Sequence, residues 1–321
     1  MVPKMANEIC RKREINKNSD MRKAYKLLAV AMALVLCAGL QSCHNTEQIP
    51  HGYPILFRCA DITRAEATLD VLKANGFDVY AYFTANGSEF GFTKSLSYDA
   101  DSKIWGYTDI EYWLPGATYY FKAAYPNGVG TIDNNTSAQS FTISNFDVTT
   151  QTDLLVAQTG AIDVDASLGS PTGGSIVYLQ FKHLLANVMI KIKSQIDGVA
   201  ITSVKLGNLD NNSTYNGSTW SISGNTTFVD YTEPTTLTKG ADLVDVTGGG
   251  FLVIPANSNG KTLTIEANKT YNLTIPNGDW EIGKRYTYTI EIKQDDIVFV
   301  DGAPYVEEWD SENATGSVII K

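Results

Sequence analysis

Little of the usual material of catalysis is present. The chain of 321 residues holds 4 Cys and 3 His, too few for a zinc cluster or a disulfide framework. A basic surplus is also missing. Lys and Arg number 25 against 35 Asp and Glu, a balance of −10, whereas a nucleic-acid binder needs positive charge on the face that meets phosphate. The sequence contains no Gly-rich loop ending in Lys-Ser/Thr, no Cys-x-x-Cys, no His-Glu-x-x-His and no Gly-x-Ser-x-Gly. The apolar run Leu27–Leu40 has 14 residues, short of the roughly 20 that a membrane-spanning helix needs. What is left, with 43% hydrophobic residues, is material for two ordinary domains, each with a core.

The N-terminus reads as an export signal. Residues 1–20 are polar, mixed in charge and without apolar periodicity, and read as a non-native upstream extension, with Met21 the true start. Arg22, Lys23 and Lys26 then precede the apolar run, and Leu40-Gln41-Ser42-Cys43 closes it. This is the layout of a signal peptide over residues 21–42. Its end has the form of a lipobox, with Gln41 in place of a small residue, and makes Cys43 the lipidation site; an ordinary cleaved signal with an incidental Cys is the alternative. Acyl chains on one Cys anchor firmly, at about 0.8 kcal/mol per buried CH₂. From Cys43 on, the chain carries 17 basic and 32 acidic residues, a balance of −15. Cys10 and Cys37 fall in the removed part. Cys59 then stands alone, and no intramolecular disulfide is available.

The rest reads as all-β. Runs rich in Thr, Val, Ile, Tyr and Phe alternate with Gly, Asn, Asp and Pro punctuation. Residues 77–83, 119–125, 188–193 and 286–292 alternate with period two, which predicts sheets with one buried and one wet face. Asn75-Gly76, Asn86-Gly87, Asn127-Gly128, Asn216-Gly217 and Asn277-Gly278 read as turns, and residues 64–74 as a short helix. Strands about ten residues apart suggest antiparallel sandwiches. The stretch 169–174, Gly-Ser-Pro-Thr-Gly-Gly, reads as a linker. It divides the chain into a tether and first strand (residues 43–64), an N-terminal sandwich (65–170) and a C-terminal sandwich (171–321).

Few residues are placed for chemistry, and nothing calls for a cofactor or a metal. His183, beside a strand, reads as a structural hydrogen-bonder. Cys59 has no base near it in sequence. The carboxylates Asp163, Asp165, Asp295, Asp296, Glu307 and Glu308 leave a glycosidase pair open, with solvated loop acids as the simpler reading. Asp210-Asn211-Asn212-Ser213 lacks the acidic spacing of a calcium loop and reads as a turn. Trp105, Trp113, Tyr215 and Trp220 are the aromatics that could stack on sugars, with core filling as their other role.

Six segments in order resemble the fimbrillin (FimA/Mfa-like) family of Bacteroidales lipoproteins, subunits of type V pili. They are Ile55-Leu56-Phe57 leading to Ile62-Thr63-Arg64-Ala65; Trp105 with Tyr112-Trp113-Leu114-Pro115 and Tyr120-Phe121-Lys122-Ala123-Ala124-Tyr125-Pro126; Asp153-Leu154-Leu155-Val156-Ala157; Phe181-Lys182-His183-Leu184-Leu185-Ala186-Asn187-Val188; Phe251-Leu252-Val253-Ile254-Pro255-Ala256; and Trp280–Ile290 with Glu308-Trp309. Pro255-Ala256 stands where many members have Pro-Gln. The resemblance implies two transthyretin-like antiparallel β-sandwich domains in tandem and a structural or adhesive, non-enzymatic role. It further implies an outer-membrane, surface-exposed lipoprotein whose N-terminal segment an Arg-specific protease removes, after which a neighbour's strand fills the vacated groove and subunits join a fimbrium. Carried onto this sequence, the cut falls after Arg64, with Arg58 as second choice. The displaced strand is Ile55-Leu56-Phe57 and the donor is Val318-Ile319-Ile320. The partners implied are other fimbrillin subunits, that protease and the membrane. A non-polymerising lipoprotein that binds glycan or host matrix is the alternative.

Overall fold

The structure, a computed structural model, describes residues 52–59, 66–133 and 140–309. The extension 1–20, the signal 21–42, Cys43, Arg64 and Val318–Ile320 lie outside the described residues.

The fold is almost entirely β. In the first half, the strands are β1 (Leu56–Cys59), β2 (Phe77–Ala85), β3 (Ser88–Asp99), β4 (Ile104–Gly106), β5 (Thr118–Tyr125), β6 (Thr131–Asp133), β7 (Ser140–Phe146), β8 (Leu155–Gln158), β9 (Ile162–Asp163), β10 (Ile176–Leu179) and β11 (Lys182–His183). In the second half come β12 (Ala186–Ser194), β13 (Val199–Ile201), β14 (Ser203–Asn211), β15 (Ser213–Tyr215), β16 (Trp220–Ser221), β17 (Asn225–Tyr231) and β18 (Thr235–Leu237). They are followed by β19 (Val244–Asp245), β20 (Phe251–Val253), β21 (Thr262–Glu266), β22 (Thr270–Thr274), β23 (Lys284–Ile292), β24 (Ile297–Phe299) and β25 (Tyr305–Glu308). One helix, α1 (Glu66–Asn75), precedes β2. It falls where residues 64–74 predicted it.

The first half builds a sheet in the order β10-β1-β4-β3-β2-β5-β8-β11, with β9 beside β5. The stretch 169–174 is therefore not where this sheet ends: β10 and β11 follow it and still belong here. Sheet membership changes after His183, because β12 is the first strand whose partners all come from the second half. There β12 lies parallel to β23 over eight residues, from Asn187↔Arg285 to Ser194↔Ile292. A parallel pair needs a long crossover, and residues 195–283 supply it with the sheet β17-β14-β21-β22. So the pairing is not uniformly antiparallel: β1–β10 and β12–β23 are parallel. A further sheet, β16-β15-β7-β6, takes strands from both halves. The described residues from Gly52 on form one compact unit.

Three cores follow. The first is aromatic, with Phe57, Phe77, Trp105, Trp113, Tyr119 and Phe121 among its members. The second is aliphatic, centred on Ile190, Ile192, Leu206, Leu263, Ile290 and Ile292, all without solvent exposure. The third joins Tyr80, Phe141 and Leu154 from one half to Leu185, Tyr215 and Ile254 from the other. Gln151 stitches the same seam, its side-chain amide exchanging two 2.9 Å hydrogen bonds with the backbone of Leu252.

Two sequence readings change. Phe77, Val79 and Ala81 do share one buried face of β2, but Asp78, Tyr80 and Tyr82 opposite them are buried too. The third core covers that second face, and Asp78 accepts 2.6 Å hydrogen bonds from Ser95 Oγ and the Gly128 N–H. Asn75-Gly76 is not a hairpin turn but the end of α1. Gly76 donates to Leu72 O at 2.8 Å and takes φ +74, and a Cβ there would collide with the Leu96 carbonyl oxygen. Asn86-Gly87, with φ 51 and 75, makes the expected tight hairpin between β2 and β3.

Candidate functional site

Strand β1 is four residues long, yet it lies inside the first sheet. Leu56–Cys59 runs parallel to Ile176–Leu179 of β10 on one side, and Phe57 faces Trp105 of β4 on the other. Among the described strands β10 pairs only with β1, so β1 connects β10 to the remainder of the sheet. Before β1 the backbone is held by the 107–113 loop. The Ile55 N–H donates to Glu111 O and the Trp113 N–H to Tyr53 O, both at 2.9 Å. Tyr107 Oη donates to Ile55 O at 2.8 Å.

The alternation expected of a half-buried strand places Ile55 and Phe57 inward, both at 0% exposure, with Leu56, Arg58 and Cys59 only partly covered. The Phe57 ring meets Phe121 edge-on at 5.4 Å and Tyr107 at 5.9 Å. Phe121 is itself stacked on Tyr119 at 5.8 Å and set edge-on to Trp113 at 5.7 Å. Such pairs gain beyond area burial alone, and each of Ile55 and Phe57 contributes about 1.5–3 kcal/mol by burial. Arg58 sits mid-strand opposite Tyr178, its Nε buried without a hydrogen-bond partner. The Cys59 thiol is pushed up to about 12 by burial, against the pull of Lys73 and of a hydrogen bond with Trp105. Such a thiol is not poised as a nucleophile.

The other sequence-selected residues do not converge on β1. His183 is buried at the seam, its Nδ1 2.8 Å from Asp153 Oδ2 and its ring stacked on Trp309 at 3.8 Å. Asp163 Oδ1 accepts from Thr118 Oγ1, and Asp165 accepts the N–H groups of Ser167 and Leu168, which hold its carboxyl below the usual range. Asp296 accepts from the Ile297 N–H; Glu307 pairs with Arg285 and Glu308 with Lys284. Asp210 pairs with Lys261 and Asn211 accepts the Val148 N–H, which makes residues 210–213 structural. Among the described residues no group of three His, Cys, Asp or Glu is placed to hold a metal. Of the four aromatics considered for sugar stacking, Trp105, Trp113 and Tyr215 are buried, and Trp220 is half-buried with its indole N–H bound to Leu184 O at 3.2 Å. A groove of about 920 Å³ runs along the seam, lined by Lys122, Phe141, Gln158, Gln180, Tyr215 and Gly283 among others. Burial holds Lys122 below its usual range.

The walls of the β1 slot were the part that sequence reasoning missed. Tyr107 and Val177 carry no motif.

The family model described as fimbrillin-like matches residues 63–309. No curated protein matches the chain. Among solved structures, a fimbrial protein from Bacteroides vulgatus is similar at TM-score 0.56 and 18% identity, over 80% of this chain and 99% of that one. A candidate cell adhesion protein from Bacteroides uniformis is similar at TM-score 0.51 and 19% identity, over 83% of this chain and 100% of that one. At these identities the likeness is one of fold.

Proposed function

The chain belongs to the fimbrillin-like family, and from that premise we propose that it is a fimbrial subunit, or a cell-adhesion lipoprotein of the same build, that assembles by strand exchange at the cell surface. Cys43 carries the lipid that anchors the precursor in the outer membrane. The two halves, joined after His183, are the tandem transthyretin-like sandwiches. An Arg-specific protease cuts after Arg64, in residues 60–65 between β1 and α1. Arg58 is the poorer choice, because it lies inside a paired strand and a protease needs an extended, unpaired one. β1 then leaves and a strand from another subunit enters between β4 and β10.

One observation carries this reading. A four-residue strand at the N-terminal end of the described fold fills an interior sheet position, with Phe57 within it and Ile55 just before it fully buried. Its loss opens an apolar groove flanked by two strands with unmatched ladder groups, the situation in which strand addition gives both affinity and register. A strand that reproduces the β1 ladders runs in the direction of β1, parallel to β10 and antiparallel to β4.

The test is Arg-specific proteolysis of the purified precursor, followed by N-terminal sequencing and by SDS-resistant ladders on gels. The expected result is a new N-terminus at Ala65 with polymers that depend on the cut. Cleavage after Arg64 that yields no polymer, together with no effect of deleting Val318–Lys321, would overturn polymerisation through this slot.

A further inference from the structure

We infer that the β1 slot chooses its occupant by the side chain at the Phe57 position. It accepts a strand carrying an apolar-x-Phe triplet from a different subunit in preference to the Val318-Ile319-Ile320 of an identical chain. This rests on the strand-exchange reading and adds to it the kind of partner.

The selectivity follows from what each position of β1 touches. At Ile55 the fixed interactions are to the backbone: its N–H reaches Glu111 O and its C=O takes the Tyr107 hydroxyl. Any residue except Pro supplies both groups, and a Val there is one methylene short of Ile. Leu56 and Arg58 are partly exposed and discriminate weakly. Phe57 differs. Its ring is completely buried, faces Trp105 and Val177 across the two ladders, and packs against Tyr107 and Phe121. Those walls cannot relax around a smaller side chain. Phe121 is fixed between Tyr119 and Trp113, and the Tyr107 hydroxyl closes on the occupant's own carbonyl, as it does on Ile55 O. An aliphatic residue in this place loses ring–ring contacts and leaves a cavity whose lining has no partner atoms.

Val318-Ile319-Ile320 offers no ring. Set in the β1 register, Val318 takes the Ile55 place and Ile320 the Phe57 place; shifted by one residue, the slot receives Ile319. In either setting the ring pocket is underfilled. A joint made by Val318-Ile319-Ile320 is thus the weaker joint, and a subunit whose donor strand carries Phe at this point is the preferred neighbour.

Competition for the slot tests this. The recognition sequence of a site-specific protease replaces residues 60–65 of the full chain, so that opening the slot does not depend on Arg64. After cutting, a fluorescent peptide of residues 53–59 is added in excess and its binding followed by anisotropy. The competitors are the same peptide unlabelled, its Ile55→Val, Phe57→Ile and Phe57→Ala forms, and a peptide of residues 315–321. Ile55→Val is expected to compete within about threefold of the parent, Phe57→Ile about tenfold more weakly and Phe57→Ala about a hundredfold more weakly. The 315–321 peptide should compete no better than Phe57→Ile. Selection is overturned if Phe57→Ile or the 315–321 peptide competes as well as the parent; strand exchange then stands without it. If the labelled 53–59 peptide itself never enters the cut chain, strand exchange at this slot fails and the selection fails with it.

Discussion

The two halves reach the same end by different means. The second core is mainly aliphatic, with a minority of aromatics such as Trp280, Tyr286 and Tyr288. Ile190, Ile192, Ile290 and Ile292 sit on the parallel pair β12–β23, which is in register over eight residues. The first core is aromatic and is completed by β1, which meets β4 at one residue and β10 at four. Rings packed on one another surround a short, terminally placed strand. Branched aliphatics interdigitated along a long pair make a body that has no such removable piece. The difference teaches that this fold joins a body built on long strand pairs to a short, terminally placed strand, the piece that the strand-exchange proposal would remove.

The comparison is broken most directly at Phe57. Phe57→Ala should lower stability by about 4 kcal/mol, seen in denaturant unfolding, and should speed proteolysis within residues 60–65. A loss under about 1 kcal/mol would show that the slot collapses around the gap and is not rigid. Ile290→Ala is the matched change in the other half. It should cost about 3 kcal/mol in the same unfolding measurement, while cleavage in 60–65 under native conditions keeps its rate. Equal acceleration by both variants would mean that β1 is released only when the whole molecule unfolds.

How much of this could be read beforehand depended on whether the signal was local. The strand from Phe77 and the one from Tyr286 announce themselves through period-two alternation over seven or more residues, and the structure has them as β2 and β23. Partner choice was not legible. Ile176–Leu179 lies beside Leu56–Cys59 although roughly 120 residues separate them, and a parallel pairing across such a gap leaves no trace in either segment. The stretch 169–174 reads as a linker because Gly, Ser and Pro mark exposed turns; here only 172–174 are exposed, Pro171 is buried and bridges to Val164, and the stretch lies within one sheet's strand sequence and not between two sheets. Asn75-Gly76 was ambiguous because a hairpin and a helix end both call for positive φ. Ile55 and Phe57 came from the family resemblance. That their side chains point into a cage of rings follows only once Trp105, Tyr107 and Phe121 are brought together.

Two smaller changes sharpen the contrast within the second half and at its border with β1. Lys261 Nζ lies 2.7 Å from Asp210 Oδ2 with both side chains nearly covered. Asp210→Ala leaves the ammonium without its counter-charge and should cost about 2–3 kcal/mol. The double change Asp210→Leu, Lys261→Met should recover most of that loss, since the pair is a structural filler of an otherwise apolar body. A double variant as unstable as the single one would show a role for the charges beyond filling. Gly76 closes α1 directly after the 60–65 segment, and Gly76→Ala forces a Cβ against Leu96 O at positive φ. It should cost about 1–2 kcal/mol. The effect belongs to the first half alone, so its loss should add to that of Ile290→Ala in the double variant.

The smallest expected effect lies at the seam and depends on pH. The Asp147 carboxyl is held below its usual range chiefly by the Thr149 hydroxyl, then by the Thr149 N–H, with Asn211 of the second half adding to it. A carboxyl depressed in the folded state contributes stability that is fully present above its unfolded value of about 4. That stability is lost as pH falls through the lower folded value. Asp147→Asn keeps an acceptor for the Thr149 N–H but removes the charge. The variant should therefore be modestly less stable than the parent at pH 7, and the gap should close as the pH is taken below about 4. Urea midpoints at pH 7, 5 and 3 measure it. A gap that stays constant over that range would mean that the carboxylate charge contributes nothing at the seam, leaving it to the third core, the β7–β15 ladder and the uncharged hydrogen bonds there.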